Sequence, residues 1–249
     1  MRLSPSQFLD VVWFARERLG FEPDGAQTAL LRATTPRMIL NCTRQWGKST
    51  VVAILAVHHL CIAPPNSLAV IVSRSQRQSA EMLRKVSEFC RRAGLGVSGD
   101  GSNRFSLCIE NGSRAVALPG NEATIRGFSS PSLMIVDEAA MVPDAVYRAV
   151  RPMLAVSREA RLILLSTPRG RHGFFHAEWT SDRAWHRISV PASRCPRIAP
   201  EFLEEERASL GDIAFRQEYE CEFADAREQL FSRDLLSTAL STDYSAWNV

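Results

Sequence analysis

The apolar positions of this chain follow two rhythms, and the first is helical. In Leu3 to Leu19 the residues Phe8, Val11, Val12, Phe14, Ala15 and Leu19 recur near helical spacing, with Ser4 or Ser6 placed to cap. This predicts an N-terminal lid or packing helix. A second, short helix is expected over Thr28 to Ala33, just upstream of the apolar run Met38 to Leu40. Val51 to Cys61 is apolar throughout and free of proline and glycine, as in a helix buried in a core. Arg74 to Arg92, Val142 to Leu154, Pro200 to Leu210 and Ile213 to Glu220 complete the helical set, and a short helix and tail are expected beyond Ala226.

The second rhythm is that of buried strands. After the Pro64-Pro65-Asn66 turn, Ser67 to Ser73 is a short apolar run of the kind found inside parallel sheets. Leu133 to Val136, Arg161 to Leu165 and Trp185 to Val190 read the same way. Gly94 to Gly101 is read as a flexible turn region, followed by Arg104 to Ile109 and Ser113 to Leu118. These last two runs meet at Asn111-Gly112, a strong hairpin signal. Strands alternating with helices, with polar motifs after strand C-termini, predict an α/β fold: a mainly parallel central sheet flanked by helices, with its site along that edge.

Composition narrows the class. A chain of 249 residues with 45% apolar content can bury a substantial core as one large or two small domains. No apolar run approaches the roughly 20 residues of a membrane span, and Met1 to Phe8 has no signal-peptide core, so a cytosolic protein is expected. The six cysteines show neither Cys-x-x-Cys pairing nor histidine partners at zinc spacing, which predicts buried free thiols. A net charge of +3 permits nucleic-acid contact without arguing for it. Arg74, Arg77, Arg84, Lys85, Arg91 and Arg92 share a polar helix face with Glu81 and Glu88. That face fits a solvated surface and a phosphate-tracking one equally well.

The chemistry concentrates in Asn41 to Thr50, Asn-Cys-Thr-Arg-Gln-Trp-Gly-Lys-Ser-Thr, between a strand and an apolar helix. A phosphate-binding loop needs inward-turned amides, a lysine for the β- and γ-phosphates and a hydroxyl for magnesium. Lys48 and Ser49 stand where those side chains belong, while Thr43, Arg44, Gln45, Trp46, Gly47 and Thr50 supply the rest of the nucleotide-binding loop. Cys42 replaces the first glycine of Gly-x4-Gly-Lys-Ser/Thr. Lysine occurs only at Lys48 and Lys85, so arginine-rich composition alone does not account for Lys48. Arginine's planar fork does not replace a compact ammonium between phosphates.

Two further strand ends carry candidate chemistry. Leu133-Met-Ile-Val136-Asp137-Glu138 has the form of a Walker B strand, in which the first acid holds hydrated Mg²⁺ and the second polarises the attacking water. Arg161 to Leu165 ends at Ser166-Thr167-Pro168, which suits either a hydrolysis-sensing element or a plain turn. Upstream of the first core strand, Gln27 offers a donor and an acceptor that match the N6 and N7 edge of adenine, or else it is a surface glutamine.

Taken together, these segments resemble the ATPase domain of the large terminase subunit, the motor that packages DNA into tailed-phage heads. The resemblance rests on Gln27, Cys42 to Ser49 with Arg44 inside the loop, Thr124-Ile125-Arg126-Gly127 before Ile135 to Ala139, Ser166-Thr167-Pro168, and the closing Phe215-Arg216-Gln217-Glu218-Tyr219. It implies a P-loop NTPase of the ASCE, RecA-like type, with ATP and Mg²⁺ as cofactors. It also implies that Gln27 contacts adenine, that Lys48, Arg44 and Glu138 serve catalysis, and that Ser49 and Asp137 hold the metal. Ser166, Thr167 and Pro168 would couple hydrolysis to movement, and Arg126 would be a finger entering a neighbouring subunit's site. Double-stranded DNA, a portal protein, a small terminase subunit and a homo-oligomeric ring are the implied partners, in the host cytoplasm.

The resemblance also sets expected domains. Residues 1–230 form the ATPase unit, including a helical, adenine-binding segment over 1–36, and 231–249 form a helix or linker. Large terminases continue into a metal-dependent nuclease, and the residues after Phe231 are too few for one, so a motor without its cutter is expected. Two alternatives remain at this point: a superfamily 2 helicase-like fragment, and a nucleotide-binding assembly module that does not turn over.

Overall fold

A computed structural model describes residues 9–99, 101, 105–121, 125, 127–157 and 159–224. Eight strands form one sheet: β1 (Arg37–Cys42), β2 (Leu68–Ser73), β3 (Val97–Ser98), β4 (Ser106–Ile109), β5 (Arg114–Pro119), β6 (Leu133–Asp137), β7 (Arg161–Ser166) and β8 (His186–Val190). Their order is β3-β4-β5-β2-β6-β7-β1-β8. The pairs from β5 to β8 are all parallel, and only β3–β4 and β4–β5 are antiparallel. The expected α/β class, mainly parallel and of ASCE type, therefore holds. Its diagnostic is β7, which lies between the P-loop strand β1 and the acid-bearing strand β6.

Alternation along the strands divides the core in two. Met38, Leu40 and Cys42 of β1 and Ala69 and Ile71 of β2 pack toward one face, against helices α1 (Val11–Leu19), α3 (Lys48–Ile62) and α4 (Gln76–Arg92). Ile39 of β1 and Val70 and Val72 of β2 pack toward the other, against α5 (Asp144–Val150) and α6 (Gly173–Thr180). Both faces are covered, which explains why the strands read as continuous apolar runs. Helix α3 is apolar on nearly every side because it lies between the sheet, α1 and α4.

Local signals set the ends of the elements. Helix α1 starts at Val11 because the Asp10 carboxylate accepts from Val12 N at 2.9 Å, and it ends at the left-handed Gly20. The serines proposed as its cap lie outside the described residues. Helix α2 (Gly25–Arg32) begins three residues earlier than expected, through a capping box between Asp24 and Gln27. The hairpin appears as β4 and β5 around Asn111-Gly112, with Gly112 at φ 79°. The region read as a flexible turn holds the two-residue strand β3, defined by its pairing with Cys108 and Ile109. Near the C-terminal end, α7 (Pro200–Leu210) and α8 (Asp212–Tyr219) pack around Ala192, Phe215 and Tyr219 beside the P-loop edge of the sheet. No helix among the described residues is long and apolar enough to cross a membrane.

Candidate active site

The P-loop joins β1 to α3 at the carboxyl edge of the sheet. Cys42 is the last residue of β1, paired in register with Val190, and is not among the left-handed residues. Extended backbone does not need glycine, so the replacement at this position carries no conformational penalty. Its thiol is fully buried, and burial pushes its pKa up, so it is a packing group and not a nucleophile. Thr43 N donates to Val190 O at 2.9 Å, and Arg44 N donates to Glu218 O at 3.3 Å, fixing the loop to β8 and α8. Gln45 and Gly47 take positive φ values of 61° and 93°. Glycine suits position 47 because of that φ, and a Cβ there would also stand 3.3 Å from Gln27 Nε2, a tight contact.

Gln27 is almost completely buried, at 1% exposure, and both ends of its amide are engaged within the protein. Nε2 donates to Trp46 O at 3.0 Å, and Oε1 accepts from Asp24 N at 3.0 Å. Arg197 donates to the same Trp46 carbonyl and pairs with Asp24 at 3.4 Å. The side chain expected to contact adenine is thus hydrogen-bonded to the phosphate loop in this structure. The indole of Trp46 lies wholly in the core, and Thr43 is also buried, its hydroxyl donating to Glu218 O at 3.2 Å. Neither side chain lines the cleft, so their place in the nucleotide site is limited to the backbone.

The acids come from β6. Asp137 is 7% exposed, and burial, followed by the neighbouring Glu138, raises its pKa from 3.8 to about 6, while Lys48 opposes the rise. Glu138 takes a left-handed conformation (φ 49°, ψ 47°) at the exit of the strand. That conformation costs an L-residue about 1–2 kcal/mol and turns the chain into a short 3₁₀ segment (Ala139–Met141). The Glu138 carboxylate then faces Lys48, with Nζ to Oε1 at 3.7 Å. Ser166, fully buried at the end of β7, donates to Glu138 Oε2 at 3.4 Å and accepts from Ala140 N at 3.2 Å. The expected coupling serine therefore touches the expected water-activating acid directly.

Around these groups opens a cleft of about 590 Å³, a size suited to a nucleotide. Arg44, Gln45, Gly47, Lys48, Ser49 and Thr50 form its loop side, and Glu138, Thr167 and Pro168 its far side. Gln78, Lys85, Met141, Arg169, Gln217 and Glu218 line it as well, without having been read as site residues. For Lys85 a signal existed, since it is the second of only two lysines. The Arg44 guanidinium pairs with Glu218, with Nη2 to Oε1 at 3.2 Å, and that carboxylate raises its pKa. Four cations (Arg44, Lys48, Lys85 and Arg169) face two carboxylates (Glu138 and Glu218), an excess that suits a polyphosphate. Arg126, expected as a finger, lies outside the described residues, as do 231–249 and most of the loop before Arg126.

A family profile described as terminase large subunit, T4likevirus-type, N-terminal, matches residues 39–238. The large terminase subunit of Thermus phage G20c is 27% identical, over 87% of this chain and 52% of that relative. The chain spans about half the length of the curated relatives it matches. Among solved structures, the large terminase ATPase domain of Thermus phage P74-26 superimposes with a TM-score of 0.74 at 24% identity, covering 90% of this chain and 100% of that one. The large terminase of a thermophilic bacteriophage, solved in complex with ADP, gives 0.64 at 12% identity, over 89% of this chain and 54% of that one.

Proposed function

This chain belongs to the terminase large subunit family, matching its N-terminal part, and on that premise we propose that it hydrolyses ATP to drive double-stranded DNA into a viral capsid. The observation that carries this reading is that Lys48 and Glu138, which follow two strands of the parallel sheet, meet across one cationic cleft, with Ser166 at the end of the strand between them bonded to Glu138. A module that only holds nucleotide needs Lys48 but has no use for a strained glutamate facing it, so turnover is favoured over passive binding. The similar large terminase of the thermophilic bacteriophage was crystallised with ADP, which agrees with this choice of ligand.

The residues suggest a division of labour. Loop amides and Lys48 bind the β- and γ-phosphates. Glu138 orients a water toward the γ-phosphorus and accepts its proton as the new P–O bond forms and the bond to the β-phosphate oxygen breaks, releasing ADP and phosphate. One buried carboxylate, Asp137, and one hydroxyl, Ser49, form a donor set of the kind Mg²⁺ uses while keeping waters and substrate phosphates. Its charge would supply electrostatic stabilisation of the phosphates. Arg44 can leave Glu218 to meet the phosphates, and Ser166 links the state of Glu138 to Thr167 and Pro168 on β7's exit loop. Adenine recognition is left to groups other than Gln27.

Partners belong to the same proposal. Sequence-independent grip on DNA phosphates suits the outer arginines of α4, and a packaging role calls for a portal protein, a small terminase subunit and a ring of copies. In such a ring Arg126 would act in a neighbour's site. The deciding experiment is Mg²⁺-dependent phosphate release by the full chain, with and without double-stranded DNA. No turnover under either condition would reduce the protein to a binding module. Mixing Arg126→Ala with Glu138→Gln chains tests the finger: recovery of hydrolysis by two inactive partners supports action between subunits, and none under assembling conditions removes it.

A further inference from the structure

Both lysines of the chain line the same cleft. Lys48 reaches it from the first turn of α3, and Lys85 from the middle of α4, the helix packed beside α3 on the same face of the sheet. The two differ in one respect. Lys48 is paired with Glu138, whereas Lys85 makes no hydrogen bond or ion pair with any described residue.

The neighbours of Lys85 on α4 make this informative. Arg84 is neutralised by Glu81 and Arg92 by Glu88, both on the outer surface of the helix. Lys85 is half-buried and stands one helical repeat of seven residues after Gln78, which lines the same cleft. Lys85 lines the cleft together with Glu138, the residue that follows β6. Glu81, one turn before Lys85, is engaged by Arg84, so a half-buried ammonium that lines the cleft without an ion pair to any described residue has a contact to gain when an anion arrives, and a flexible lysine stem can follow a phosphate that moves.

We propose that Lys85 is a second cationic contact for the terminal phosphate of bound ATP, reaching it from α4, the helix next to the one that begins at Lys48. The inference rests on the cleft being an ATP site. It gives α4 two roles: its inner edge touches the phosphate lost in hydrolysis, and its outer face carries exposed arginines besides the two paired ones, Arg77 and Arg91, for DNA. Loss of the γ-phosphate would then remove a tie on the helix itself.

The test is equilibrium binding of Mg²⁺-ADP, Mg²⁺-ATP-γ-S and a double-stranded DNA fragment to the full chain and to its Lys85→Met and Lys85→Gln variants. The expected result is a loss of about tenfold or more in ATP-γ-S affinity, with ADP and DNA affinities within about twofold of the parent. Lys85→Arg, which keeps the charge, should recover part of the loss. Unchanged binding of both nucleotides, or equal losses for both, overturns the proposal. So does weakened DNA binding with intact nucleotide binding, which would assign Lys85 to the DNA surface. The glutamine variant serves if methionine disturbs folding. If the parent chain binds neither nucleotide, the ATP reading itself fails, an outcome separate from any behaviour of the variants.

Discussion

Lys48 Nζ stands 3.7 Å from Glu138 Oε1, so the lysine meant for phosphate and the acid meant for water neutralise one another across the cleft. An incoming phosphate must compete with Glu138 for that ammonium. Replacing Lys48 with alanine is expected to weaken ATP and ADP binding by at least about tenfold, because a direct charge-assisted contact is lost. Glu138→Gln should bind ATP as tightly as the parent or more tightly, since the competitor is gone, while kcat falls by about 10²–10⁴. A glutamine variant that turns over at the parental rate would move the water-activating role elsewhere.

Asp137 gives the fold a pH signature. Its pKa rises from 3.8 to about 6 on folding, so the folded state prefers the protonated carboxyl. The stabilising contribution is complete below pH 4 and is lost as pH rises through 6. A gap of that size corresponds to about 3 kcal/mol. Asp137→Asn keeps the acceptor oxygen for Glu138 N but cannot ionise, so it should raise Tm at pH 8 and not at pH 4 when measured without Mg²⁺ and nucleotide. Mg²⁺-dependent turnover should disappear in the same variant. Equal Tm values for the two proteins at pH 8 would mean that the buried charge is stabilised by groups other than Lys48 and Lys85.

Ser166→Ala removes a donor from Glu138 and an acceptor from Ala140 N. Leaving that N–H without a partner should cost about 1–3 kcal/mol in denaturant unfolding. The functional expectation is a fall in kcat with little change in KM, since Ser166 touches the acid and does not line the cleft. A variant that changes KM alone would place Ser166 in ground-state binding.

Gln27→Ala is predicted to reduce ATP and GTP affinity together, because its amide holds the Trp46 carbonyl and leaves no exposed face for a base. Arg197→Ala should act in the same direction through the same carbonyl, and the double variant should cost less than the sum of the two, as groups sharing a partner are not additive. A selective loss of ATP would restore the base-reading role to Gln27.

Much of this site was visible in the sequence because its parts sit at strand ends, where an apolar run followed by charged or hydroxyl residues is a local signal. Lys48, Asp137, Glu138 and Ser166 were legible in that way. Gln27 was noticed for its position, but its burial and its contact with Trp46 arise from packing of α2 on a loop 19 residues away. Lys85 and Glu218 sit in segments whose local pattern is that of a basic helix face and a closing helix, since nothing local says that α4 and α8 both reach the P-loop cleft. The two-residue β3 carries no periodicity, and α6 starts at a glycine, with Phe174 N held by Asp144 at 2.8 Å from another helix. These elements are defined by partners distant in sequence.

The placement of both lysines in one cleft has a practical side. Apart from the terminal amine, an ester or aldehyde reagent aimed at primary amines has only Lys48 and Lys85 to find, among 249 residues. Ordinary amine labelling thereby becomes modification of the cleft, and a nucleotide bound there would shield it. Coupling this protein to a sensor chip or bead through amines would tether it by the two lysines proposed to meet phosphate, so attachment is better made through a terminal tag.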